Sequence, residues 1–146
     1  GGFETRPYAG LKQGMTMPNA KLRHIAITVK DLDESAAFYE KTFDLTRNYQ
    51  SKVAVSLSDG TVNITLLKFP TDDAAGDERG KDYVGVHHFG FVVDDVDQAG
   101  RAIEANGGRF HRAPTPEMQT ETKYRDPNGI VLDVTHPGHM WAGVKV

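Results

Sequence analysis

The sequence predicts an α+β fold of two tandem βαβββ modules whose strands form a concave mixed-sheet half-barrel cleft. Three observations carry that expectation. First, the segment from Val86 to Asp97 has an earlier copy 64 residues upstream, with His88 falling on His24, Val93 on Val29, Asp95 on Asp31, Asp97 on Asp33 and Glu104 on Glu40. Self-similarity at a fixed offset marks a repeated structural unit. Second, each copy opens on an alternating strand that begins at a histidine and passes into a capped helix. Third, short β-rich runs broken by turn residues follow, with Ser58-Asp59-Gly60-Thr61 in the first copy and Asp126-Pro127-Asn128-Gly129 in the second.

The 146 residues suit one compact domain, or two half-size units sharing a core. A formal net charge of −3 without a basic patch argues against a nucleic-acid partner. No apolar run approaches about 18 residues, so no membrane span is expected, and no charged-then-apolar leader is visible. The chain has no cysteine, which excludes a disulfide framework and thiolate catalysis. A cytoplasmic setting is the expectation, although a lack of cysteine suits any compartment.

Residues 1–20 show no period and read as a surface-draped tail or as an arm on a partner subunit. The first module spans 21–69. Its first strand, 22–29, places Ile25, Ile27 and Val29 on one face and His24, Ala26 and Thr28 on the other. The large face calls for a helix, and the small face leaves room. A helix over 32–43 begins at a capping box, Asp31 with Glu34, and carries Leu32, Ala36, Tyr39 and Phe43 as a buried stripe. Strands over 46–50, 53–58 and 62–69 follow. In the last of them Val62, Ile64 and Leu66 share one face and Asn63, Thr65 and Leu67 the other.

Residues 70–84, rich in Pro, Gly and acid, form a linker. The second module spans 85–136. It repeats the strand over 86–93 and the helix over 96–106, capped by Asp95 with Gln98 and stopped by Asn106-Gly107-Gly108. Residues 111–121 read as a loop. The final strand, 130–135, places Val131, Asp133 and Thr135 opposite Ile130, Leu132 and Val134. Residues 137–146 form a tail whose Trp141 is expected to pack.

This order, with a histidine opening each copy and Asp126-Pro127-Asn128-Gly129 before the last strand, resembles the vicinal oxygen chelate superfamily over residues 22 to 136. The group includes glyoxalase I, bleomycin-resistance proteins, extradiol dioxygenases, fosfomycin-modifying thiol transferases and methylmalonyl-CoA epimerases. The resemblance implies one divalent metal in the cleft, held from the first and last strands of each module. It carries the ligand positions onto His24 and His88, with Asp133 where glutamate is usual. The remaining position falls at Thr65, a poor ligand, so the four-ligand pattern of glyoxalase I and the epimerases is not met. The resemblance also implies pairing of modules, within or between chains, and a homodimer is expected.

Alternation along the strands supports the same site independently. It puts His24, His88 and Asp133 on the small-residue side of three strands. Two imidazoles and a carboxylate suit iron, manganese, zinc, nickel or cobalt, and three protein ligands leave positions open for water and substrate. The competing account is that both histidines fill core space with satisfied hydrogen bonds. By alternation His87 points away from the cleft, and His111, His136 and His139 fall in loop or tail positions.

The expected activity is metal-dependent chemistry on a small molecule with vicinal oxygens, as lyase, isomerase or dioxygenase. Thr65 disfavours classical glyoxalase I chemistry. The extradiol resemblance is weakened because 113–122 contain no histidine and Tyr124 sits one place off the expected spacing. Lys52, Lys123 and Arg125 are candidates to hold a phosphonate, or are solvated strand-edge charges. The other class is a non-catalytic drug- or metabolite-binding module of the bleomycin-resistance type. Either class would use a substrate cleft that includes Thr28, Ser56, Asn63, Thr65 and Lys123.

Overall fold

The structure, a computed structural model, describes residues 16–76, 79–114, 121–138, 140–141 and 144–145. The first module is β1 (Lys21–Thr28), α1 (Leu32–Phe43), β2 (Thr46–Gln50), β3 (Ala54–Ser58) and β4 (Asn63–Leu67). A one-turn helix α2 (Asp72–Ala75) lies in the linker. The second module is β5 (Gly85–Val92), α3 (Val96–Ala105), β6 (Arg109–Arg112), β7 (Thr122–Arg125) and β8 (Val131–Thr135). A two-stranded pair, β9 (Met140–Trp141) and β10 (Val144–Lys145), closes the described chain.

The first eight strands form one mixed sheet in the order β2-β3-β4-β1-β5-β8-β7-β6. It is not closed into a barrel. The order reads the same from either edge, as two copies of one unit related by a pseudo-twofold axis would give. The two first strands, β1 and β5, lie antiparallel at the centre, so the modules pair within one chain. Each first strand also pairs in parallel with the last strand of its own module, β1 with β4 and β5 with β8.

Both helices start as the sequence dictates. The Asp31 carboxylate accepts from the Glu34 amide at 2.7 Å, and the Asp95 carboxylate accepts from the Gln98 amide at 2.9 Å. Each satisfies an amide that the first turn leaves without a partner. The α1 side of the sheet buries Ala36, Val55, Leu57 and Leu66, with Ile27, Leu32 and Tyr39 packed around them. The α3 side buries Val93, Ala99, Tyr124 and Val134, with Met17 and Ala20 packed on that cluster. The end of the N-terminal segment therefore lies on the second module, while residues 1–15 are outside the described residues.

Two expectations require correction, and a third falls outside the described residues. Phe43 is 61% exposed rather than buried, and it packs against the equally exposed Phe38 at 6.2 Å between ring centroids. It sits at the last helical residue, beyond the reach of the β3 and β4 side chains that cover Ala36. Residues 109–112 form strand β6, so His111 belongs to the sheet rather than to a loop. Propensity alone did not reveal this edge strand because Arg109, His111 and Arg112 hide the alternation. Trp141 lies in β9, but its side chain is outside what is described, and so is His139.

Candidate metal centre

The site sits on the sheet face opposite α1 and α3, where β1, β5 and β8 run side by side. His24 on β1, His88 on β5 and Asp133 on β8 are all buried, and Asp133 is fully so. One ligand-capable atom from each lies within 4.8 Å of the others. His24 Nε2 is 3.2 Å from His88 Nε2, His88 Nε2 is 3.2 Å from Asp133 Oδ2, and His24 Nε2 is 4.0 Å from the same oxygen. Period-two alternation brings the three together, because β1 pairs with β5 and β5 with β8 in the register that aligns Gly90 with both His24 and Asp133.

Hydrogen bonds behind the rings decide which nitrogens face inward. His24 Nδ1 lies 2.6 Å from Asn63 Oδ1. That oxygen also accepts from the Thr65 hydroxyl at 2.8 Å, and the Asn63 amide nitrogen donates to Ser56 Oγ. With the amide so oriented, His24 Nδ1 must donate, which leaves a lone pair on Nε2. His87 Nε2 lies 2.8 Å from the Ala75 carbonyl and must donate to it. Neutral His87 then accepts at Nδ1 from His88 Nδ1, 2.7 Å away. His88 is thereby left with its own lone pair on Nε2. Two imidazole lone pairs and a carboxylate oxygen thus converge, and Asp133 Oδ2 has no hydrogen-bond partner among the described residues. Such a set repels itself unless a proton or a cation lies between its members. The donor types, their count and their spacing fit a divalent ion.

Asp133 has a second partner. Lys123, on the adjacent strand β7 and only 9% exposed, donates to Asp133 Oδ1 at 2.6 Å. Lys123 is therefore a buried ion-pair partner, and the alternative of a solvated strand-edge charge does not hold. Burial works to raise the Asp133 carboxyl, but His88, once a proton or a cation lies between its Nε2 and Asp133 Oδ2, and Lys123 outweigh it and hold it below the usual carboxylate range. His24 is pushed down to about 4, chiefly by burial and then by the neighbouring His88. Its ring is thus neutral, as a ligand must be, throughout the neutral range.

A cavity of about 290 Å³ opens onto this centre. Leu67, Phe69, Ala74 and Ala75 make one wall, and His111, Arg112 and Lys123 line the other side with Glu121. Among the cleft positions expected from sequence, Thr65 and Lys123 line the cavity. Ser56 and Asn63 stand behind His24 as its support. Thr28 donates to the Gly85 carbonyl at 3.2 Å and is buried away from the cavity. His136 is exposed and bonds the Pro137 carbonyl. His87 lines the cavity as well, contrary to alternation. A bulge between Ala26 and Ile27, opposite His88 and Val86, leaves His87 unpaired in the ladder and frees its ring to turn toward His88. The His87-His88 doublet was the only signal in the sequence for this contact.

Residues 21–134 match the family model of the glyoxalase/bleomycin resistance protein/dioxygenase superfamily. The chain belongs to this superfamily. Solved structures of similar fold include a hypothetical protein from Bacillus halodurans, with a TM-score of 0.66 and 18% identity over 84% of this chain and 98% of that one. A methylmalonyl-CoA epimerase from Streptomyces coelicolor has a TM-score of 0.62 and 24% identity over 86% of this chain and 97% of that one. An extradiol ring-cleaving dioxygenase from B. fuscum has a TM-score of 0.60 and 19% identity, covering 80% of this chain but only 32% of its own. At these identities the likeness is one of fold. No curated protein matches the chain. Within the superfamily frame, Thr65 on β4 occupies the place that Asp133 holds on β8, since Ala26 aligns with Thr65 as Gly90 does with Asp133. By the same logic Lys123 is the counterpart of Ser56, each standing opposite that position on the neighbouring strand.

Proposed function

We propose that this superfamily member is a divalent-metal-dependent enzyme acting on a small molecule with vicinal oxygens, as a lyase, isomerase or dioxygenase. The observation that carries the reading is the convergence, within 4.8 Å, of an imidazole nitrogen from each of two histidines and a fully buried carboxylate oxygen. His24, His88 and Asp133 would hold one iron, manganese, zinc, nickel or cobalt ion. Such an ion supplies Lewis acidity to two neighbouring substrate oxygens. The chain's own groups do the rest. Asn63 and His87 fix the two rings. Lys123 holds the carboxylate so that one oxygen stays turned inward. Leu67, Phe69 and Ala75 give the cavity an apolar wall for the body of the substrate. The protein would work as a cytoplasmic homodimer.

Elemental analysis of protein purified without an affinity metal column, beside His24→Ala and Asp133→Ala, tests the reading. The expected result is about one metal ion per chain, lost in both variants. Protein that arrives metal-free and takes up no added ion would sink it, and a non-catalytic binding module would then be the better account. Loss of metal in His88→Ala with ligand affinity intact would favour that module too. Sedimentation showing only a 16.1 kDa species at micromolar concentration would count against the dimer.

A further inference from the structure

The fixed charges around the centre select the kind of ligand that completes it, an argument that rests on the metal reading above. At the cavity floor the chain supplies one carboxylate, Asp133, and one ammonium, Lys123, both buried and 2.6 Å apart. They cancel. Imidazoles bound through lone pairs are neutral ligands, and the remaining polar groups of the floor, Asn63, Thr65 and Ser56, carry no charge. Thr65 stands where the pseudo-symmetry would allow a second carboxylate, and Lys123 stands where it offers Ser56 in the other module. Both differences push the floor toward positive charge. At the mouth the exposed Arg112 and the half-buried Glu121 have opposite signs. A divalent ion at His24, His88 and Asp133 therefore brings two positive charges that no group at the floor neutralises among the described residues. An uncompensated charge at a centre whose own residues are buried is costly, and the open coordination positions are where compensation can enter.

We infer that the ligand this centre takes is a small chelating dianion, with two negative charges shared over neighbouring oxygens once bound, and an uncharged body against Leu67, Phe69 and Ala75. Neutral diols and singly charged hydroxy acids leave the floor positive and bind more weakly.

Calorimetry on manganese-loaded protein tests this with two bidentate probes, oxalate as dianion and glycolate as monoanion. The readout is the ratio of their affinities, compared among wild type, Lys123→Met, Lys123→Arg and Thr65→Glu. The ion's own preference for oxalate is common to wild type and the two Lys123 variants and cancels among them, whereas in Thr65→Glu the new carboxylate stands at a ligand position and adds its charge directly beside the ion. Lys123→Met and Thr65→Glu each lower the floor by one charge and should reduce the ratio about tenfold. Lys123→Arg keeps the charge and should keep the ratio. Thr65→Glu leaves the Lys123–Asp133 pair intact, so it reads the effect even if Lys123→Met folds poorly. A ratio unchanged within about twofold in metal-loaded Thr65→Glu would overturn this inference and leave the metal centre standing. Failure of the wild type to take up manganese would overturn both.

Discussion

His24 ties the stability of the fold to pH, and the size of the effect follows from its surroundings. The ring is 4% exposed, and its pKa is lowered from 6.5 to about 4 by burial and by His88. Between those values the unfolded chain carries a proton on this ring and the folded chain does not. Stability is therefore full above the unfolded pKa and falls as the pH drops toward about 4. At about 1.4 kcal/mol per pH unit, the gap is worth about 3 kcal/mol. Asp133 does not blur this window. Its carboxyl is held low in the fold, so its own contribution is lost only as the pH falls below about 4. Urea unfolding of chelator-treated protein between about pH 7.5 and about pH 4.5 should show a loss of at least about 2 kcal/mol, and His24→Gln should remove most of the slope. A wild-type profile flat to within about 0.5 kcal/mol, or the same slope in His24→Gln, would refute the reasoning.

Other perturbations test the parts around that ring. His87→Phe removes the acceptor for His88 Nδ1 while filling the same space, and should weaken zinc or cobalt binding about 10- to 100-fold with the melting temperature little changed. Titration calorimetry would read it. Asp133→Ala leaves the Lys123 ammonium buried without its carboxylate and should cost about 3–5 kcal/mol in denaturant unfolding. Lys123→Met added to it should return much of that loss, and a strictly additive double mutant would deny the pair. Gly100→Ala drives a new methyl group into the Tyr124 hydroxyl, with the ring carbon Cζ 3.1 Å away. Overpacking of about 1–3 kcal/mol outweighs the helix propensity gained, so thermal unfolding should shift downward.

The sequence by itself determined the repeat, the identity of its helices and the metal triad candidates. Each of these depends on a period that the chain carries locally. The offset of 64 residues pairs His24 with His88, and alternation along β8 turns Asp133 to the same face as Val131 and Thr135. Asp31 and Asp95 mark the helix starts because capping is an interaction over three residues. The tertiary structure decided what depends on partners distant in sequence. Only the antiparallel register of β1 with β5 shows that the modules pair in one chain. Only the bulge at that register turns His87 toward His88, since one extra residue breaks the period on which the opposite expectation relied. Lys123 became a buried partner of Asp133 because β7 lies beside β8, a neighbour relation that no pattern within Thr122–Arg125 reveals. Local periodicity fixes the face on which a side chain lies, whereas the charge, tautomer and reach of that side chain depend on the other strands packed around it.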